Sequence, residues 1–174
     1  MRLTAQNILL RNLRVTAQHR RRWWHRIPRP APAWSGMRLN LAGAVLPDFS
    51  LAECQLGNAN FMGAHFTGVA YFMGAQFTGV ADFAEAQFIG VAYFGGAQFT
   101  GVAYYGGAQF TGGVDFGDAR VGGVDFGHAR VDSTAGPGSV WPPGWTTRPA
   151  KPDNGEDPAF RYLTRVENDN PSDT

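Results

Sequence analysis

The side chains able to do chemistry are few and scattered. Asp115, Asp118, Asp125 and His128 fall within one short stretch, the only place where carboxylates and an imidazole come close enough in sequence for general acid–base work. Carboxylates that recur on a surface are usually solvated rather than shaped to a substrate, so no catalytic role is assigned to them. His19, His25, His65 and His128 have no spacing that sets two ligands on one metal. A single cysteine, Cys54, excludes an internal disulfide framework. Glycine recurs at a fixed period, so any G-x-G match is incidental, and no P-loop, nucleophile elbow or dinucleotide fingerprint is present. The sequence therefore reads as non-enzymatic, with no catalytic residues, cofactor, metal or small-molecule substrate. What remains is chemistry of recognition: Tyr71, Tyr93 and Tyr104 on one hand, and Arg20, Arg21, Arg22, Trp23 and Trp24 on the other.

These groups belong to parts of opposite charge. Met1–Arg38 holds nine arginines and no acid, whereas residues 39–133 hold two arginines and eight acids. The net charge of +1 averages a basic arm with an acidic body. Such an arm suits an anionic lipid surface or nucleic acid, or else docks on the chain's own acidic body or on a neighbouring copy. Leu3, Ile8, Leu9 and Leu13 have a loosely helical spacing, which predicts a short amphipathic helix ahead of the arm. No apolar run is long enough to span a bilayer, and the Ile8–Leu10 cluster is too short and too Arg-flanked for a signal-peptide core. A cytoplasmic chain, free or peripheral to a membrane, is the expectation.

The elements that position the tyrosines follow from an internal repeat. The string A-N-F-M-G-A-H-F-T-G-V from Ala59 recurs with variation from Ala70, Ala81, Ala92 and Ala103. Each eleven-residue unit is two pentads and a spacer, the spacers being Val69, Val80, Val91 and Val102. A pentad carries a small residue, a variable residue, a large central apolar residue, then two small or polar residues. The frame extends back to Leu39, with Leu41, Leu46, Leu51 and Leu56 as centres, and forward to Ser133, making 18 pentads. A large apolar residue every five or six positions fits neither helix nor alternating strand, so the chain must turn regularly to bring it back inward. Gly63, Gly68, Gly74, Gly79 and Gly90 close their pentads and suit corners with unusual backbone angles.

These paired pentads resemble the pentapeptide-repeat family, in its bacterial, actinomycete-like branch. The resemblance implies an all-β fold, a right-handed quadrilateral β-helix with four pentads per coil. It would be preceded by a short N-terminal helix and arm and followed by an irregular C-terminal cap. Domains are set at 1–38 for the basic helix and linker, 39–133 for the β-helix, and 134–174 for a Trp- and Pro-rich cap and tail. The implied interior holds Phe61, Phe66, Phe72, Phe77, Phe83, Phe88, Phe94, Phe99, Tyr105, Phe110, Phe116 and Phe126. With two eleven-residue units per coil, Phe61, Phe83, Tyr105 and Phe126 form one column, and Phe72, Phe94 and Phe116 another. Outside, Tyr71 stacks on Tyr93, Gln76 on Gln98 and Thr78 on Thr100, and an aromatic patch including Tyr104 is a candidate docking surface.

A solenoid exposes its interior at both ends and needs caps. Trp141-Pro-Pro-Gly-Trp145 is expected to lay two indoles over the last coil, with Trp23 and Trp24 as counterparts at the first. Arg148–Pro158 reads as extended, Ala159–Val166 as a closing element of open type, and Asn168–Thr174 as a disordered tail. The N-terminal string R-L-T-A-Q-N-I-L-L-R-N-L-R also resembles a junction with an upstream region in longer relatives, in which case the chain is a truncated version. The function expected is a structural or protein-interaction module with an unknown protein partner. The family offers an alternative, a DNA mimic that regulates type II topoisomerase, and the arm offers another, binding to anionic membrane or nucleic acid.

Overall fold

The computed structural model describes residues 36–135 and 138–166. The expected helix, Arg20–Trp24 and most of the arm lie outside those residues, as does the tail from Asn168.

Most pentads form a strand of only two residues, such as Ala59–Asn60, His65–Phe66, Ala70–Tyr71 and Gln76–Phe77, because the chain must bend before a third can pair. The strands pair in parallel with those one coil away. Leu39 meets Ala59, Ala59 meets Ala81, Ala81 meets Ala103 and Ala103 meets Val124, in steps of 20, 22, 22 and 21 residues. Four pentads make a coil of 20 residues, and spacers lengthen it without moving any interior residue out of register. The result is an all-β solenoid of about four turns, with four faces taken here in chain order as first to fourth.

Like residues stack inside. On the first face the rings of Phe61, Phe83, Tyr105 and Phe126 succeed one another at 4.9 Å with near-parallel planes. Phe72, Phe94 and Phe116 do the same on the third face at 4.8 and 4.6 Å. Phe66, Phe88 and Phe110 fill the second, and Phe77 and Phe99 the fourth. Rings of adjacent columns meet edge to face, as Phe83 and Phe94 do at 5.6 Å and 85°. The column spacing is the distance between paired strands, so backbone pairing and ring stacking reinforce each other. Each buried Phe contributes roughly 2–3 kcal/mol.

The corners are of two kinds, which explains the eleven-residue period as half a coil. Between the first and second faces, and between the third and fourth, the pentad centre accepts a hydrogen bond from the next pentad's first N–H. Ala64 donates to Phe61 O at 2.9 Å in this way. The intervening residue takes positive φ, as Gly63 does at 63° and Glu85 at 57°, which is a type II turn. The other two corners hold the spacers and need glycine for a different reason. A Cβ on Gly90 would stand 2.5 Å from the carbonyl oxygen of Gly68 in the coil below. The unusual angles expected of all five glycines therefore occur at Gly63 and Gly74, while a Cβ on Gly90 would meet backbone of the coil below and one on Gly68 or Gly79 would meet the side-chain oxygen of Asp48 or Asn58. The spacers bulge outward, with Val80 and Val102 both exposed. The strand Gln98–Tyr104 runs round one such corner, where Phe99 pairs with Val121 but Val102 with Gly123.

Both ends are plugged by an aromatic ring. Trp141 contacts Phe110, Phe116 and Phe126 at 5.5–6.2 Å, and Trp145 lies 5.0 Å from Phe126. Val140 bridges to Asp115 on the third face, so Ser139–Pro143 serves as a degenerate pentad with Trp141 as its centre. At the first coil the plug is Phe49, whose ring lies 5.8–6.0 Å from Phe61, Phe66 and Phe72. It occupies a slot read as small, and the four first-coil centres are leucines, which leave room for the extra ring.

The cap is more regular than the sequence suggests. Trp145–Pro149 and Phe160–Arg165 pair as antiparallel strands, and the second also pairs antiparallel with Arg130–Asp132, ending the parallel growth of the second face. Nor is Arg148–Pro158 simply extended. Pro152–Asn154 forms a 3-10 turn, and Arg148 donates to Glu156 through its two terminal guanidinium nitrogens at 2.6 and 2.7 Å.

Candidate functional site

The solenoid disperses the one group of residues that hinted at acid–base chemistry. Asp115 stands on the third face and Asp125 on the first, on opposite sides of the coil. Each spends an oxygen on its own turn, accepting from Gly117 N–H at 2.7 Å and Gly127 N–H at 2.8 Å. Asp118 and His128 hold the positive-φ positions of two different corners, with φ of 56° and 58°. Asn40, Asn60 and Asp82 lock earlier turns of the first face as Asp125 does. The repetition of a polar residue after the small one is thus explained by backbone satisfaction. Among the described residues no group of three or more His, Cys, Asp or Glu is placed to hold a metal ion. Cys54 is buried, and its Sγ donates to Ala52 O at 3.5 Å.

The outer surface sorts its chemistry by face. The second and fourth faces present uncharged ladders. Gln55, Gln76 and Gln98 stack on the fourth, leading up to Arg120, and His65, Gln87 and Gln109 on the second, leading up to Arg130. Thr78 Oγ1 donates to Leu56 O one coil below at 2.9 Å, which ties coils together. Six of the eight acids of residues 39–133 lie on the other two faces, Asp82, Glu85 and Asp125 on the first and Glu53, Asp115 and Asp118 on the third. Neither of those faces carries an arginine or lysine within its pentads, since Arg120 and Arg130 are on the fourth and second.

The tyrosines mark the same two faces. On the third, Tyr71 and Tyr93 stack at 5.5 Å with planes 14° apart, and Met73 stands exposed two residues from Tyr71. Tyr104 does not join them. It pairs with Asp82 and Asp125 on the first face, so the expected aromatic patch resolves into a stacked pair and a lone ring on opposite sides. All twelve ring-bearing interior positions, from Phe61 to Phe126, are buried. Tyr105 alone among them carries a polar atom, and its hydroxyl has no hydrogen-bond partner. Burial pushes its phenol pKa well above the ordinary tyrosine value.

Three interactions of the cap were not legible in sequence: Arg130 over Phe160 at 4.5 Å, Arg148 over Tyr162 at 5.5 Å and Arg165 over Trp145 at 5.2 Å. Each depends on antiparallel pairing that no local motif announces.

Models of the pentapeptide repeats match residues 38–69, 72–120 and 94–136, together more than half of the chain and nearly all of the stacked region. The chain belongs to the pentapeptide-repeat family. No curated protein and no solved structure matches it. Membership accounts for the four-sided coil and its filled interior, a structural repeat architecture generally without enzymatic activity. It leaves the outward residues, where pentapeptide-repeat proteins are free to differ, to be read from this chain alone. No helix among the described residues is long and apolar enough to cross a membrane.

Proposed function

We propose that this chain is a non-enzymatic interaction module whose binding surface is the third face. The stacked, outward Tyr71–Tyr93 pair beside exposed Met73 carries the proposal. Tyrosine supplies contact area at low ordering cost and methionine adapts its shape to a partner, and both are enriched where proteins meet. Glu53, Asp115 and Asp118 lie on the same face without any cation among them, which favours a partner segment bearing arginine or lysine amid apolar side chains. The rigid solenoid holds these groups in fixed register, so little is lost in ordering them on binding. Action in the cytoplasm, free or held at a membrane surface by the arm, is part of the same proposal.

DNA mimicry is the weaker reading. It needs a long run of closely spaced negative charge, whereas two opposed faces carry three carboxylates each and Arg120 and Arg130 stand on the other two.

A peptide array read with fluorescently labelled protein tests the proposal. Cationic peptides containing aromatic residues should bind, and a Tyr71→Ser/Tyr93→Ser variant with unchanged circular dichroism should lose at least about tenfold in affinity, as for a removed hot spot. Equal binding by the double variant, or no preference for cationic peptides in a chain whose Arg20, Arg21 and Arg22 are replaced by serine, would refute it.

A further inference from the structure

The third face has an occupant of the right chemistry within the same chain. We infer that the arginine-rich segment Arg20–Trp24 docks on Tyr71, Met73 and Tyr93, so that the chain occupies its own binding face. The inference rests on the third face being the docking surface and adds what covers it.

Charge is the first argument. Met1–Arg38 carries nine arginines and no acid, while the third face carries Glu53, Asp115 and Asp118 and no cation. Chemistry is the second: three consecutive arginines followed by two tryptophans offer guanidinium planes and indoles, the groups that stack best on exposed tyrosine rings. Position is the third. The described chain begins beneath the corner where the fourth face passes to the first, where Met37 O accepts from Gly57 N–H at 3.0 Å and Gly36 lies against Gly57, so that the width of the fourth face separates it from the third. The residues between Trp24 and Gly36 span up to about 40 Å when extended, while three coils rise only about 10–15 Å. A tether of that length raises the effective concentration of the arm to the millimolar range, so weak contacts suffice. The first face is the poorer choice, because Tyr104 stands alone there between Asp82 and Asp125.

The full-length chain with Trp24 replaced by the photo-crosslinker p-benzoylphenylalanine provides the test. Light and dark isotope-labelled chains are mixed, irradiated at low micromolar concentration, digested and mapped by mass spectrometry. The expected result is a crosslink within one chain to the Tyr71–Tyr93 segment, Met73 foremost. Its yield should fall about fivefold or more between 50 and 500 mM salt, because screening removes the attraction. A Glu53→Gln/Asp118→Asn variant, which keeps both turn residues close to their native shape, should lower the yield about threefold at low salt. Crosslinks confined to other faces, crosslinks only between labelled and unlabelled chains, or salt-independent yield would each overturn the inference. Cationic peptides binding the third face while the arm crosslinks elsewhere would fault the arm alone, whereas failure of both experiments would fault the face.

Discussion

Tyr105→Phe should make this protein more stable, although it removes a polar group from a column of aromatic rings without touching the packing. The Tyr105 ring lies parallel to Phe83 and Phe126 at 4.9 Å on either side, so phenylalanine fills the slot with the same contacts. What changes is the hydroxyl, fully buried among phenylalanines and without a partner. Leaving such a group unsatisfied costs about 1–3 kcal/mol relative to water, and the variant should gain most of it. A domain of this size gains roughly 3–4 °C in Tm per kcal/mol. Urea melts of parent and variant at pH 7 measure the difference. A second reading comes from pH. The Tyr105 phenol is raised well above 10.0 in the folded chain by burial, so above that pH the unfolded state gives up the proton first and folding weakens. The stability present below pH 10 is then lost in the parent at up to about 1.4 kcal/mol per pH unit, and the gap to the variant should widen by that slope. A variant no more stable than the parent at pH 7, or a gap that stays constant through pH 11, would refute the reasoning.

Phe88→Asp, between Phe66 and Phe110, should abolish cooperative unfolding, because an unpaired buried charge costs several kcal/mol and coils hold only their neighbours; circular dichroism melts decide it. Trp141→Ala should cost about 2–4 kcal/mol and speed hydrogen exchange first at Phe116 and Val140, whose amides tie the Trp141 pentad to the third face. Glu156, held down to about 2 chiefly by its hydrogen bonds with Arg148, should titrate clearly above that value in an Arg148→Gln variant followed by carboxyl NMR, although the Lys151 N–H still donates to it. Because that folded value is depressed, the contribution of the pair is full above the unfolded value and vanishes as pH falls through about 2.

The stacked interior was legible because its signal is repeated: one aromatic per pentad fixes the column, and the Val69–Val102 spacers fix where the coil lengthens. What the repeat hides are its exceptions. Phe49 stands in a slot that elsewhere holds alanine, and only the three-ring contact shows that it closes the first coil. Ser139–Pro143 escaped as a pentad because the loop before it breaks the period, so Val140 meets Asp115 after 25 residues rather than 22. The strand at Phe160–Arg165 had no period to announce it, since its partners, Arg130–Asp132 and Trp145–Pro149, are distant or antiparallel.

The surface reveals a logic that linear reading obscures. Along the sequence, the eight acids of residues 39–133 fall into groups at 48–53, 82–85 and 115–132 that do not announce a face, and Tyr71, Tyr93 and Tyr104 look like one series. Folding a quarter turn per pentad sends alternate pentads to alternate pairs of faces, so a residue type that recurs every eleven positions splits between two opposed sides. Tyr93 and Tyr104 are one such step apart and end on opposite faces, whereas Tyr71 and Tyr93 are two steps apart and touch. The same arithmetic sets the glutamine ladders on the two remaining faces, where Asp48 and Asp132 are the only acids of residues 39–133, and gathers the other six carboxylates on the faces that carry tyrosine. In this architecture the smallest patch of like residues therefore costs a full coil of 22 positions. The contiguous tyrosine pair on the third face meets that condition, and the isolated Tyr104 does not. Moving Tyr104 to aspartate should accordingly leave binding to the third face unchanged, while Tyr93→Asp alone should remove most of it.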